Sequence, residues 1–180
     1  MIAIINGEVK ISMASADGKE VVLAILRAGE VFGEIAMLDG KPRSADATAL
    51  TACTLAGLNR HDVLAALERN PAAWLGLVEV LCSRLRQTDQ DLVDVVLLGL
   101  APRLAKALLR VIDEQGARAK NAAVAGIRLS QYELGNMVGA ARENVNKCLQ
   151  EWQRAGIIRM EKRVITIANR VKLEAVVVSE

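Results

Sequence analysis

The stretch that most constrains the fold is Leu129–Trp152, LSQYELGNMVGAARENVNKCLQEW. Ser130 followed three residues later by Glu133 is a capping box, and Leu129 and Leu134 stand where a hydrophobic staple belongs, so a helix begins at Gln131. Gly135 has no side chain and lets a second helix cross closely. Gly139 can take the left-handed conformation of a sharp inter-helix turn. The reading is a first helix over about 131–138 and a second over about 141–155. Val145, Cys148, Leu149 and Trp152 form the inward stripe of the second helix and meet Leu134, Val138 and Ala140. Arg142, Glu143, Asn146, Lys147 and Gln150 fall on the opposite face.

That opposite face suits a DNA groove. An arginine at 142 can donate twice to guanine O6 and N7, Glu143 can accept from cytosine N4, and Lys147 can reach guanine or phosphate. The capped start at Ser130 and Gln131 can receive a backbone phosphate through its amides. The competing reading is an ordinary helical hairpin with a solvated charged face. It would not require the capping box, the two glycines and the matched apolar positions together. Downstream, GIIRMEKRVITIAN alternates apolar and polar residues and reads as a hairpin tipped by Glu161, Lys162 and Arg163. Such a wing would place Lys162 and Arg163 on phosphates, or else form a charged surface turn.

Charge is divided accordingly. Met1–Leu98 carries 9 Lys and Arg against 13 Asp and Glu, whereas Gly99–Glu180 carries 14 against 8. Only the second half is suited to a polyanion. Aromatic residues make up 2% of the chain, too few for base stacking on single strands. The unpaired set Cys53, Cys82 and Cys148 offers neither a disulfide framework nor a metal site and suggests a reducing compartment. No signal segment or long apolar run is evident, so the expected location is cytoplasmic, with no membrane partner.

The first 65 or so residues read as short strands. Asn6-Gly7 is expected to join IAII to EVKISM in a hairpin, and Asp17-Gly18 to join EVKISM to EVVLAIL. DATAL and CTLAGL add two more strands, giving a small antiparallel roll. HDVLAALERN is a short helix ended by Asn70-Pro71. A long helix follows to about Leu98. Its residues Trp74, Leu77, Leu81, Leu85, Thr88, Leu92 and Val95 make a seam near a 3.5-residue period. Leu75, Val78, Val80 and Val93 lie off the seam and are expected to pack on the roll. Two apolar faces beside a small domain suggest a homodimer interface; the plainer alternative is one buried helix of a monomer. Gly99 and Pro102 end this helix. RLAKALLRVIDEQ is the next, and GARAKNAAVAG reads as a loop. The expected domains are residues 1–70, 71–98 and 99–180.

VFGEIAMLDGKPRSADATA carries a second constellation. Gly33, Glu34, Ile35 and Ala36 open a short helical piece whose free amides favour an anion. Arg43 supplies a forked cation for phosphate, Ser44 can complete the cradle, and Glu34 can accept from a ribose hydroxyl. These residues alone point to a small anion such as a nucleotide, or to a Glu34–Arg43 ion pair bracing a loop.

With both segments in view, the chain resembles the cyclic-AMP receptor protein/FNR (Crp/Fnr) family of bacterial regulators. GEIAMLDGKPRSA is similar to its phosphate-binding cassette and LSQYELGNMVGAARENVNKCL to its helix-turn-helix, with the dimer helix between them. The resemblance covers essentially the whole chain. It implies an α+β fold: an antiparallel β-roll, a long dimerisation helix and a C-terminal winged helix-turn-helix. It implies that Glu34 binds a ribose hydroxyl and that Arg43 and Ser44 bind a cyclic phosphate. Thr88 matches a threonine that contacts adenine in cyclic-AMP-binding members. Asp89 stands in place of a serine that reaches the other subunit's ligand. Arg142, Glu143 and Lys147 match base-contacting positions, with Lys147 replacing an arginine. Family members begin with two or three further strands, so the roll is expected to lack its first strands, through a shortened form or a start codon assigned too late.

The implied function is sequence-specific transcription regulation on double-stranded DNA by a homodimer. Its control would come from an effector such as cyclic AMP, with RNA polymerase as a further partner. The alternatives are the same role with another effector or none, and a cyclic-nucleotide-binding regulatory module of an enzyme or channel. No nucleophilic Cys/His pair, metal-ligand spacing or P-loop supports an enzyme. The single histidine, His61, and the lack of a cysteine cluster leave haem and iron–sulfur sensing unsupported.

Overall fold

A computed structural model describes residues 1–118, 126–161 and 164–178. The chain divides into two compact units, Met1–Asp89 and Gln90–Glu180.

The first unit contains β1 (Ile2–Asn6), β2 (Glu8–Ala14), β3 (Glu20–Arg27), β4 (Val31–Phe32), α1 (Glu34–Asp39), β5 (Asp46–Ala49), β6 (Thr54–Gly57) and α2 (Arg60–Arg69), with much of α3 (Pro71–Leu97). Two antiparallel sheets form, in strand orders β4-β1-β6 and β3-β2-β5. Ile4, Val9, Leu26 and Phe32 fill the core. Asp17-Gly18 makes the expected hairpin: Ala14 pairs with Glu20, and Gly18 has φ +79°.

Asn6-Gly7 does not. β1 pairs with β4 and β6, whereas β2 pairs with β3 and β5, so this turn carries the chain from one sheet to the other. Gly7 does hold a positive φ of +98°. A Cβ there would stand 2.6 Å from the Ala52 carbonyl oxygen. The dipeptide signals a backbone conformation and a close approach, and neither specifies which strand becomes the partner.

Asn59 caps α2 by accepting from the His61 amide at 2.9 Å, and the His61 side chain is exposed. α2 and the start of α3 pack on α1 through Met37, Leu67 and Leu77. Here the expected faces of α3 are rearranged. Leu77, placed on the seam by its spacing, is buried in its own chain. Leu75, Val78 and Val93, expected against the roll, are exposed. α1 is only six residues long, so it offers α3 a small patch that Leu77 and Ala73 suffice to cover.

The second unit holds the end of α3, then α4 (Leu100–Arg118), α5 (Gln131–Val138), α6 (Arg142–Arg154), β7 (Ile158–Glu161), β8 (Val164–Ile167) and α7 (Arg170–Val178). Leu104, Leu108 and Val111 recur at helical spacing on α4 and are buried with Leu134, Val145, Leu149 and Ile158. β7 and β8 form a two-stranded antiparallel ribbon, and Ile127 adds a bridge to Ile165. Helix α4 continues through Gly116 to Arg118, into the segment read as a loop; the helical register imposed by its buried face outlasts the glycine. Residues 119–125 of that loop lie outside the described residues.

Nothing in the sequence pattern announces helix α7. It packs on α4 through Leu173, which is fully buried, and through Arg170, whose guanidinium forks onto both carboxylate oxygens of Asp113. Two ion pairs fix the last turns of α3 to α4: Arg110 Nη1 to Asp91 at 2.9 Å and Lys106 Nζ to Asp94 at 2.6 Å.

Candidate nucleic-acid interface and effector pocket

The helix pair α5–α6 forms as its residues dictate. The Ser130 hydroxyl accepts from the Glu133 amide at 3.1 Å and the Glu133 carboxylate accepts from the Ser130 amide at 2.7 Å, closing the capping box. Leu129 and Leu134 are both buried. Gly139 ends α5 at φ +63°. A Cβ on Gly135 would stand 2.6 Å from the Ala140 carbonyl oxygen, so the crossing needs glycine there. Val145, Cys148, Leu149 and Trp152 are buried, while Arg142, Glu143, Lys147 and Gln150 are exposed. Burial pushes the Cys148 thiol up to about 11, with the Glu151 carboxylate adding to the shift.

Arg142 and Glu143 open α6 beside the start of α5, and with Gln131, Ala141 and Asn146 they line a shallow cleft. Within it the Gln131 side-chain amide donates to Asn146 Oδ1 at 2.9 Å. That bond engages Asn146, which is half-buried, while Arg142 and Glu143 are exposed. Tyr132, unnoticed in the sequence, is 52% exposed and lines an adjoining cleft with Leu129, Ser130, Gln131 and Arg142. It is the one tyrosine in the chain, so no pattern could have flagged it. Lys162 and Arg163, expected at the wing tip, lie outside the described residues. The strands that lead to them, β7 and β8, are paired from Ile158↔Ile167 to Glu161↔Val164.

In the first unit, Gly33 precedes α1 in the left-handed conformation, φ +73°. Glu34 is 2% exposed and Met37 is buried, while Ile35 is exposed and Ala36 half-buried. Arg43 does not pair with Glu34. Its Nη1 donates to the Gly33 carbonyl at 2.9 Å, and a Cβ at Gly33 would run into its guanidinium. The partner of Glu34 is Arg84 on α3, Nη1 to Oε1 at 2.6 Å; Arg84 Nη2 also donates to the Val31 carbonyl at 2.5 Å. This corrects the Glu34–Arg43 alternative. Arg84 is 50 residues away in sequence, and only the fold brings the two together. Glu34 Oε2 is buried with no hydrogen-bond partner among the described residues. A buried carboxylate oxygen left unpaired is costly, and a ligand hydroxyl would relieve that cost. Arg43 and Ser44 are exposed at the mouth of the same turn. Thr88 and Asp89 are exposed on α3, and the Thr88 hydroxyl donates to the Arg84 carbonyl at 3.0 Å.

Both halves of the chain resemble known proteins. Residues 1–70 match the family model described as a cyclic nucleotide-binding domain, and residues 102–176 match that of a Crp-like helix-turn-helix domain. The CRP-like cAMP-activated global transcriptional regulator of Mycobacterium tuberculosis H37Rv is 33% identical over 170 residues, 94% of this chain and 76% of that one. This chain belongs to the Crp/Fnr family of transcription regulators. A second relative of this Crp/Fnr regulator, the cAMP-activated global regulator of Haemophilus influenzae, is 28% identical over 91% of this chain and 73% of that one. Two solved structures share the fold. One is FixK2 of Bradyrhizobium japonicum, with TM-score 0.84 at 21% identity over 99% of this chain and 87% of that one. The other is a CRP/FNR-family regulator from Thermus thermophilus, with TM-score 0.79 at 25% identity over 99% and 87%. The protein is a DNA-binding transcription regulator with an α+β cyclic-nucleotide-binding-like and winged helix-turn-helix fold. Among the described residues, no helix is long and apolar enough to cross a membrane.

Proposed function

We propose that this regulator binds a near-palindromic operator as a homodimer and is switched by a cyclic nucleotide held in the first unit. The observation that carries the effector half is Glu34 Oε2, buried and without a partner beside a carboxylate oxygen that Arg84 already holds. A ribose hydroxyl donating to Oε2 would satisfy it. The α1 amides opened by Gly33, Glu34, Ile35 and Ala36, with Arg43 and Ser44, would take the cyclic phosphate. Thr88 and Asp89 stand on α3 one turn beyond Arg84 and would face the base. The M. tuberculosis and H. influenzae relatives are named as cAMP-activated, which favours cyclic AMP as the first ligand to try.

The DNA half rests on the exposed set Arg142, Glu143 and Lys147, supported by Asn146, with Ser130, Gln131, Lys162 and Arg163 assigned to phosphates. The homodimer would use the seam of α3 that remains once Leu77 is taken into the core: Trp74, Leu81, Leu85, Thr88, Leu92 and Val95. Two recognition helices related by a two-fold would then enter successive major grooves roughly 34 Å apart. In this reading residues 1–70 are the effector domain, 71–98 the dimer helix and 99–180 the DNA-binding domain. RNA polymerase is the partner such a regulator would address once on DNA.

Titration calorimetry of the full chain with cyclic AMP and cyclic GMP tests the effector. Binding that is lost in Glu34→Ala and in Arg43→Leu supports the pocket. No heat with either nucleotide removes the cyclic-nucleotide claim and leaves a regulator with another effector or none. Ligand control of DNA affinity further requires the ligand to favour one arrangement over another.

A further inference from the structure

The cations of α4 differ in what they meet. Lys106 lies 2.6 Å from Asp94 and Arg110 lies 2.9 Å from Asp91, so both are neutralised within the chain. Arg103, one turn before Lys106, meets no carboxylate among the described residues. Among the described residues its one side-chain hydrogen bond runs from Nε to the Gly99 carbonyl at 3.4 Å, long for an N–H donor. That contact aims the other end of the guanidinium at the helix-turn-helix: Nη1 is 3.7 Å from where a Cβ on Gly139 would stand. Gly139 is the left-handed residue between α5 and α6, and Arg142 begins α6 three residues later.

We propose that Arg103 is a DNA phosphate-binding residue outside the helix pair, holding a backbone phosphate beside the turn that presents the recognition helix. Three facts point this way. The charge meets no carboxylate among the described residues, while Lys106 and Arg110 on the same helix are paired. The residue is half-buried, and its contacts with Gly99 and the Gly139 turn set its direction. The Nη nitrogens stay open, the geometry with which arginine forks onto phosphate. Such a contact sets the position and register of the helix and carries no sequence information of its own. It therefore separates Arg103 from Arg142, which the proposed base-reading role makes sequence-discriminating.

The inference rests on the DNA-binding role and is tested apart from it. Affinity of the full chain is measured between about 50 and 200 mM salt, on random-sequence duplex and on an operator selected from a random pool. Arg103→Ala is expected to weaken binding to both duplexes by the same factor. It should also flatten the slope of log K against log salt by about 0.9 for each phosphate no longer neutralised. Arg103→Lys keeps the charge and should keep the wild-type slope. Arg103→Gln retains a donor for Gly99 without the charge and should behave like the alanine variant, which separates charge from any structural bracing. An unchanged slope in Arg103→Gln overturns the proposal, as does a loss confined to the selected operator. Failure of the wild-type chain to prefer any selected duplex would instead overturn the operator-reading role.

Discussion

At Gly135 and Gly139, four residues apart, an added methyl group would do two different kinds of harm. At Gly135 it would press on the Ala140 carbonyl and push α6 off its support. Gly135→Ala is expected to cost about 1–3 kcal/mol, as overpacking does. At Gly139 there is room, but the backbone sits at φ +63°. Gly139→Ala is expected to cost about 1–2 kcal/mol through left-handed strain alone. Urea midpoints with unchanged m-values check both. If Gly139→Ala then binds DNA normally after correction for the folded fraction while Gly135→Ala does not, only Gly135 sets the helix crossing. On DNA, Arg142→Ala should lose about 1–3 kcal/mol of discrimination at one base pair. Equal loss on every sequence, measured by competition binding, would contradict base reading. Both glycines and the polar face of α6 were legible in the sequence because they belong to a local pattern twenty-odd residues long. The Glu34–Arg84 pair was not, because it joins a six-residue helix to a turn of α3 fifty positions on.

Elements differ in what holds them. Helix α5 is eight residues long, too short to persist without its cap and its buried face. Ser130→Ala removes half of the capping box and is expected to cost about 1 kcal/mol in the same urea titration. Helix α7 depends on a charged tie. The Arg170 guanidinium holds the Asp113 carboxyl below its ordinary value, and Asp113 and Glu174 together raise the Arg170 guanidinium. A carboxyl lowered on folding stabilises the native state above its unfolded value and loses that contribution as the pH falls through its folded value. The stability gap between wild type and Asp113→Asn should therefore be constant from neutral pH down to about 5 and close below 3.8, the ordinary value. Both partners are half exposed, so the gap is small and shrinks with salt. Strand existence was readable in the roll from short apolar runs and turn dipeptides, except for the two-residue β4. Strand partnership at Asn6-Gly7 was not, since it is decided by which sheet closes over Ile4 and Val9, a property of the whole unit.

Over the whole molecule, the long helix presents far more apolar surface than one chain covers. Leu85 and Leu92 are 62% and 63% exposed, and Val96 and Leu97 more so. Replacing Leu85 and Leu92 with glutamate is expected to give monomers by light scattering and to abolish operator binding while leaving the circular dichroism unchanged. Dimers that survive both changes would place the interface elsewhere. The apolar period along α3 was legible, yet Leu77 goes into the core against Met37 and Leu67, a choice made by a neighbour that periodicity does not see.

The Cys148 sulfur, on the buried face of α6 with its proton held to about pH 11, gives the molecule an internal clock. Thiolate-seeking reagents work on the deprotonated, accessible form. In a chain whose Cys53 and Cys82 have been changed to serine, alkylation at neutral pH would advance only when the second unit opens, so the labelling half-time would time its breathing, with and without bound DNA.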